Sequence, residues 1–260
     1  MKTLLADYSI VAETPSDRVT TEALEMSYSR YRFAREFCAG RDVLEIGCGA
    51  GQGLGYLAKR ARRVVGGDVT ANLLRAARGQ YGGAIPLIRL DAERLPFSSG
   101  SFDVVLLCEA IYYLHRPDAF LTDCRRVLRP HGQLVLCTVN CEWQAFNPSP
   151  FSVRYFSASE LATLLEQHGF QAELAAGFPE SRDSFRKAAI VTAKRAAINL
   201  RLIPHSMRGK RLLKRLFLGR LVPVWQEVED GRVEYREPQP LNVRQDASQF
   251  KILYAVGRSA

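Results

Sequence analysis

The pattern of apolar and polar positions switches repeatedly between a helical period and a strand period along this chain. From 21 to 39 apolar residues recur at helical spacing behind an acid-rich start, and Gly40 follows where a left-handed cap would stop a helix. A short apolar run at 42–46 then reads as a strand, and 54–61 returns to helical spacing with basic residues at its end. The alternation continues with a strand at 64–67, a helix at 70–78, a strand at 85–89 and a loop through Leu95-Pro96-Phe97. Next come a strand at 102–107 and a helix at 117–128, with Pro117 in the first turn, where its missing N–H costs nothing. Gly132 marks the turn into a strand at 133–139. Beyond an aromatic and proline-rich loop at 143–156, a capped helix at 157–168 ends at Gly169, and 170–176 and 250–256 read as the last two strands.

Seven strands alternating with helices of about ten residues predict a doubly wound, mostly parallel sheet with helices on both faces and function at the carboxyl ends of the strands. The α/β body takes 1–177 and 241–260. Residues 178–240 read as a basic helical insert, or lid, between the sixth and seventh strands.

Composition narrows this. A chain of 260 residues, 47% hydrophobic, buries one substantial core and carries an appendage besides. The six cysteines contain no C-x-x-C pair, so the expectation is free thiols in a reducing compartment, without a metal site. The apolar run at Met1–Asp7 breaks too early for a signal peptide, and no stretch approaches the roughly 18 apolar residues of a membrane span, so a cytoplasmic protein is expected. Net charge is +9, yet twelve Lys and Arg and a single acid fall between Ser181 and Val222, so the remaining chain is slightly acidic. Two helical patterns, 186–202 and 207–218, carry that charge, the second sorting basic and apolar pairs onto opposite faces. This segment reads as a solvated face, as a site for an anionic acceptor, as a peripheral contact with an anionic membrane bearing a lipid-linked acceptor, or as an RNA-binding element. Nucleic acid is the least favoured, because aromatic interleaving is sparse there.

Glycines 47, 49 and 51 directly follow the first strand of the alternation, where they permit a tight turn and close approach of a ligand, with a helix N-terminus expected behind them. The dinucleotide fingerprint fails: Gln52, Leu54 and Tyr56 occupy the third glycine position in its three registers. No Gly-Lys-Ser/Thr follows, so the phosphate-binding P-loop fails too.

On these residues the chain resembles the class I S-adenosylmethionine-dependent methyltransferases, in the small-molecule type 11-like subgroup. Val43-Leu44-Glu45-Ile46-Gly47-Cys48-Gly49-Ala50-Gly51 looks like the family's first motif, and the resemblance runs from about Arg41 to Val139. It extends through Asp68, Asp91-Ala92-Glu93-Arg94-Leu95-Pro96-Phe97, Ser101-Phe102-Asp103-Val104-Val105 and Arg126-Val127-Leu128-Arg129-Pro130-His131-Gly132-Gln133-Leu134. It implies S-adenosyl-L-methionine as cofactor, with Glu45 near its amino group and Gly47, Cys48, Gly49 and Gly51 beneath its amino acid portion. Asp68 with Val69 would hold the ribose, Asp91, Ala92 and Glu93 the adenine, and Cys108 and Glu109 complete the cofactor set. A carboxylate such as Asp68 accepts both ribose hydroxyl hydrogens, which a neutral side chain does not.

Methyl transfer from a sulfonium is a direct displacement, so alignment dominates and a general base is optional. Glu109, Tyr112, Tyr113 and His115 follow the fourth strand; Tyr113 and His115 are the catalytic candidates, and Tyr112 and Tyr113 the acceptor-binding ones. His131 reads as an exposed turn residue at the opposite end of the sheet. Base amino-methylation is disfavoured because Cys108-Glu109-Ala110 stands where an Asp/Asn-Pro-Pro-aromatic motif would be. Cytosine C5 chemistry lacks a Pro-Cys nucleophile, and no clustered Asp/Asn magnesium ligands are found. The expectation is therefore a transferase methylating O or N of a small or carrier-linked acceptor, such as a nucleotide- or lipid-linked sugar. Its competitors are an RNA methyltransferase and a silent cofactor-binding scaffold.

Overall fold

The computed structural model describes residues 7–180, 221–243 and 245–259. Its elements in chain order are β1 (Arg18–Val19), α1 (Thr21–Arg35), β2 (Asp42–Ile46), α2 (Leu54–Ala58), β3 (Arg63–Asp68), α3 (Ala71–Tyr81), β4 (Leu87–Arg89) and β5 (Phe102–Cys108). There follow α4 (Pro117–Val127), β6 (Leu128–Val139), α5 (Ala158–Gln167), β7 (Phe170–Pro179), β8 (Val222–Pro223), β9 (Gln239–Pro240) and β10 (Phe250–Ser259).

The main sheet has eight strands in the order β4-β3-β2-β5-β6-β10-β7-β9. From β4 to β6 all neighbours pair in parallel, whereas β10 runs antiparallel between β6 and β7. The expected seven strands are all present. The eighth, Gln239–Pro240, pairs with β7, and two residues leave no periodic trace in a sequence.

All five residues of β2 are buried, as a central parallel strand covered on both faces requires. Its alternate residues serve different layers: Leu44 and Ile46 join Phe120 and Leu121 of α4 and Leu161 and Leu165 of α5, whereas Val43 joins Ala34, Leu54 and Leu74 beneath α1, α2 and α3. Glu45 shares the second face, which puts a carboxylate under α1 in the core.

Local signals explain most helix ends. Thr20 caps α1 by accepting from the Ala23 N–H at 3.1 Å, Pro117 opens α4, and Ser157 and Glu160 form a reciprocal capping box on α5. The exception is α2, which covers only five of the eight residues expected at 54–61. Glycines at 53 and 55 weaken it, and they are kept by close neighbours: a Cβ at Gly53 would lie 1.8 Å from the Tyr31 ring and one at Gly55 2.1 Å from the Glu227 carboxylate. So short a helix adds little dipole behind the glycine turn, contrary to the expected helix N-terminus.

The described part of the expected insert contains no helix. Phe178 and Pro179 continue β7, and 221–235 form an extended strap whose β8 pairs with β1 in a separate two-stranded sheet. The basic helical patterns at 186–202 and 207–218, and Met1–Ala6, lie outside the described residues. No described helix is long and apolar enough to cross a membrane.

Candidate functional site

A cavity of about 340 Å3 opens at the carboxyl ends of β2, β3 and β5, where parallel strands fan apart around the switch in strand order between β2 and β5. Its floor is the glycine turn. Gly47, Gly49 and Gly51 have φ of 70°, 57° and 87°, conformations that cost a side chain dearly. A Cβ at Gly49 would have no atom closer than 3.9 Å, so the missing side chain leaves open space rather than a packing contact.

Two carboxylates organise the turn. Asp68, 7% exposed at the end of β3, accepts from the Gly49 N–H at 2.9 Å and the Thr70 N–H at 2.7 Å. Burial raises its pKa against those backbone hydrogen bonds. Each oxygen thus keeps a lone pair for a ligand. Behind the turn, Glu45 accepts from the Tyr31 hydroxyl at 2.7 Å, while its second oxygen is buried without a partner. Burial pushes this carboxyl up to about 7, opposed by the Tyr31 hydrogen bond and assisted by the charge of Asp68. After β4, Asp91 accepts from the Glu93 N–H at 2.9 Å in a local turn. Glu93 itself accepts from the backbone N–H groups of His115 and Arg116 and from the Arg116 side chain, at 2.7, 2.9 and 3.0 Å, and so secures the loop leading into α4.

The far side of the cavity is built by the loop after β5. Glu109 holds a left-handed φ of 53°, rare for a residue with a side chain, and its N–H is fixed to the Cys137 carbonyl at 2.7 Å. One Glu109 oxygen accepts from the Tyr112 hydroxyl at 3.0 Å; the other has no hydrogen bond and sits 3.9 Å from the Arg30 guanidinium. Burial raises the Glu109 pKa, and Arg30 and Tyr112 oppose the shift. Tyr113 packs against Tyr112 and Tyr8, with ring centroids 4.6 and 5.0 Å away.

Of the residues singled out in the sequence, the cavity wall brings together Gly47, Cys48, Gly49, Asp68, Val69, Asp91, Ala92, Glu93, Cys108, Glu109, Tyr112 and Tyr113. Glu45 and Gly51 stand behind the wall, and His115 is exposed and does not line the cavity. Three further contributors carried no recognisable motif. They are the arm before β1 (Tyr8, Val11, Ala12, Glu13), Arg30 and Tyr31 on α1, and Val224 and Trp225 on the strap. The signal that was present is the pair Gly53 and Gly55, beyond the needs of the turn, which announces close neighbours without naming them. Among the described residues the lining carries five carboxylates (Glu13, Asp68, Asp91, Glu93, Glu109) against one cation, Arg30, a balance suited to a sulfonium bearing an ammonium group.

Residues 44–136 match the family profile described as a methyltransferase domain. Among curated proteins, the chain is 38% identical over 142 residues to a "Probable S-adenosylmethionine-dependent methyltransferase" of Mycolicibacterium smegmatis, covering 52% of this chain and 54% of that protein. It is 35% identical over 120 residues to a fatty-acid O-methyltransferase of the same species, covering 45% and 43%. The chain thus spans about half the length of the curated relatives it matches. Among solved structures, a SAM-dependent methyltransferase from Archaeoglobus fulgidus superposes with a TM-score of 0.59 over 91% of this chain and 94% of that one, at 15% identity, a likeness of fold.

Proposed function

We propose that the chain is a class I S-adenosylmethionine-dependent methyltransferase that moves a methyl group to oxygen or nitrogen of a small or carrier-linked acceptor, a reading supported by the match of residues 44–136 to a methyltransferase domain. The observation that carries this reading is the convergence in one cavity of the glycine turn, the Asp68 carboxylate and the Tyr112–Glu109 pair. The residues present fit the cofactor: open space over Gly49, carboxylate lone pairs on Asp68 and an acidic lining. S-adenosyl-L-methionine, when bound, supplies a methyl group on a positively charged sulfur.

The chain's own groups do the rest. Asp68 and the Gly47–Gly49 backbone hold the nucleoside and amino acid portions, and the walls from α1, the arm and the strap exclude water. A hydroxyl or amine acceptor must shed a proton, and the Tyr112 hydroxyl, hydrogen-bonded to Glu109, can pass it on to a carboxylate whose burial raises its proton affinity. This assigns proton removal to Tyr112 and Glu109, with Tyr113 a wall, rather than to His115. The acidic lining favours a neutral reacting group. A nucleotide- or lipid-linked sugar meets that condition if its phosphates stay outside the acidic cavity, and a segment as basic in sequence as 181–222 suits such phosphates or a peripheral contact with an anionic membrane. The relative named for O-methylation of fatty acids supports oxygen as the target.

The test is incubation of the purified protein with isotopically labelled S-adenosylmethionine and pooled small-molecule, lipid and RNA fractions. Label in a small molecule or lipid supports the reading. Label in RNA alone turns it to the RNA competitor, and cofactor binding without transfer to any fraction turns it to a silent scaffold.

A further inference from the structure

The strap at 221–235 lies some 170 residues beyond the glycine turn in the chain, yet it is fastened to that turn at several points. The Val228 N–H donates to the Gln52 carbonyl at 2.8 Å, and the Val224 N–H to the Asp17 carbonyl at 3.0 Å. Gln80 donates to the Gln226 carbonyl at 3.1 Å. Glu227 fills the notch left by Gly55, paired with Lys59 at 3.1 Å and 3.3 Å from the Tyr81 hydroxyl, which itself donates to the Gly51 carbonyl at 2.7 Å. The far end is held by Asp230, which accepts from the hydroxyls of Tyr28 at 2.8 Å and Tyr56 at 2.6 Å and pairs with Arg35 at 2.9 Å.

Between these anchors stands Trp225, only 5% exposed, in the wall of the cavity that Asp68 also lines, its ring edge-on to Tyr28. Its indole N–H has no hydrogen-bond partner among the described residues. The nitrogen is not among the buried atoms left without a partner, so it keeps access to open space and stays available to a ligand in the cavity. The remaining occupant of the cavity is a ligand, and the nucleoside amino acid expected there offers carboxylate, hydroxyl and ring-nitrogen acceptors.

We propose that the strap is the fourth wall of the cofactor site, with Trp225 contacting the bound cofactor and Asp230 acting as the positioning residue that keeps the strap closed over it. The inference rests on the cofactor reading given above but concerns residues outside the matched domain. Because the strap's anchors lie on α1, α2, α3 and the turn itself, lifting it uncovers the cavity without unpairing the main sheet. Cofactor exchange then requires Asp230 to release Tyr28, Tyr56 and Arg35.

The chain has two tryptophans, so fluorescence reads the strap directly with S-adenosylhomocysteine as probe. Saturating the unmutated protein should change tryptophan emission and slow hydrogen exchange at the Val228 amide. Trp143→Phe should keep the emission change, and Trp225→Phe should lose it and weaken binding by about 5- to 10-fold, on the scale of one hydrogen bond. Asp230→Asn should raise the dissociation rate by about 10-fold while the Trp143 emission and circular dichroism of the free protein stay put. An emission change that survives Trp225→Phe, or no slowing of exchange at Val228, overturns the inference alone. Unmutated protein that binds no S-adenosylhomocysteine overturns the cofactor reading and this inference with it.

Discussion

Strand β2 carries an acidic residue at its start and another one residue short of its end, and the two ends live under opposite electrostatic rules. At its amino end, Asp42 is held by Arg62 through two hydrogen bonds of 3.0 and 2.6 Å and by Arg129 at 3.0 Å, with Arg63 at 3.6 Å. The Arg62 hydrogen bonds lead in pulling its pKa down to about 2, and Asp103 beside it is lowered as well. Three residues on, at the carboxyl end, Glu45 has one partner, one orphaned oxygen and a pKa pushed up to about 7 by burial, and Asp68 and Glu109 are raised with it. One end has its charges answered inside the fold. The other holds carboxylates short of cations: among the described residues, Arg116 answers Glu93 from outside the wall, and Arg30 is the cation that lines the cavity beside Asp68, Asp91, Glu109 and Glu13. A protein keeps such an unanswered end where a ligand is to supply the missing charge.

The comparison breaks hardest at Glu109. Glu109→Gln keeps the shape and the Tyr112 contact but removes the proton acceptor, so methyl transfer to a labelled acceptor should fall by about 100-fold or more, with S-adenosylhomocysteine affinity nearly unchanged. Equal losses in both measurements would make Glu109 a cofactor ligand instead.

Glu45 tests the same end through stability. Its folded pKa lies above its unfolded one, so the neutral form's contribution is fully present below about pH 4.5 and is lost as pH rises through about 7. Urea melts of ligand-free protein and Glu45→Gln across that window should diverge by up to about 3 kcal/mol, the variant gaining as pH rises. Parallel curves would mean that the carboxyl is ionised throughout. Asp68→Ala should cost about 2 kcal/mol of S-adenosylhomocysteine affinity in calorimetry, the scale of a charge-assisted hydrogen bond, because both its ligand lone pairs and the Gly49 anchor go.

These residues also mark what the sequence could say. The parallel sheet was legible because buried strands read as unbroken apolar runs and each crossover helix kept its period and caps, down to the Ser157–Glu160 box. The donor half of the site was legible because a turn needs its glycines and a strand end its carboxylate, local demands that a local pattern records. The acceptor half was not. Arg30, Tyr8 and Trp225 reach the cavity from the arm, α1 and a strap far along the chain, through tertiary contacts that impose no spacing. His115 was chosen for its chemistry in a plausible place, and the loop that Glu93 secures leaves its ring exposed instead. The short eighth strand and the five-residue α2 were lost for a related reason, both being set by neighbours rather than by their own residues.

At the answered end the expected losses are in stability alone. Asp42→Asn leaves Arg62 and Arg129 without their carboxylate and should cost about 1–2 kcal/mol in denaturant melts at neutral pH, with cofactor affinity unchanged. Because the Asp42 pKa is depressed, its contribution is present above about pH 3.8 and disappears as pH falls through about 2, so parent and variant should converge in acid.

The smallest effect comes from a second left-handed residue. His131, exposed near the start of β6, has φ of 61°, close to the 53° of Glu109 at the other end of the neighbouring strand. Both pay for a side chain in a region that glycine enters freely. At His131 nothing is gained in return: no hydrogen bond of its ring is formed among the described residues, and the site lies at the opposite edge of the sheet. His131→Gly should therefore stabilise the protein by about 0.5 kcal/mol, strain relief slightly exceeding the added freedom of the unfolded chain, and leave methyl transfer untouched. The same replacement at Glu109 relieves the same strain but removes the group that Tyr112 and Arg30 face, so turnover should collapse whatever happens to stability. If both glycine variants kept full activity, the strain at the cavity would be as incidental as that at the turn.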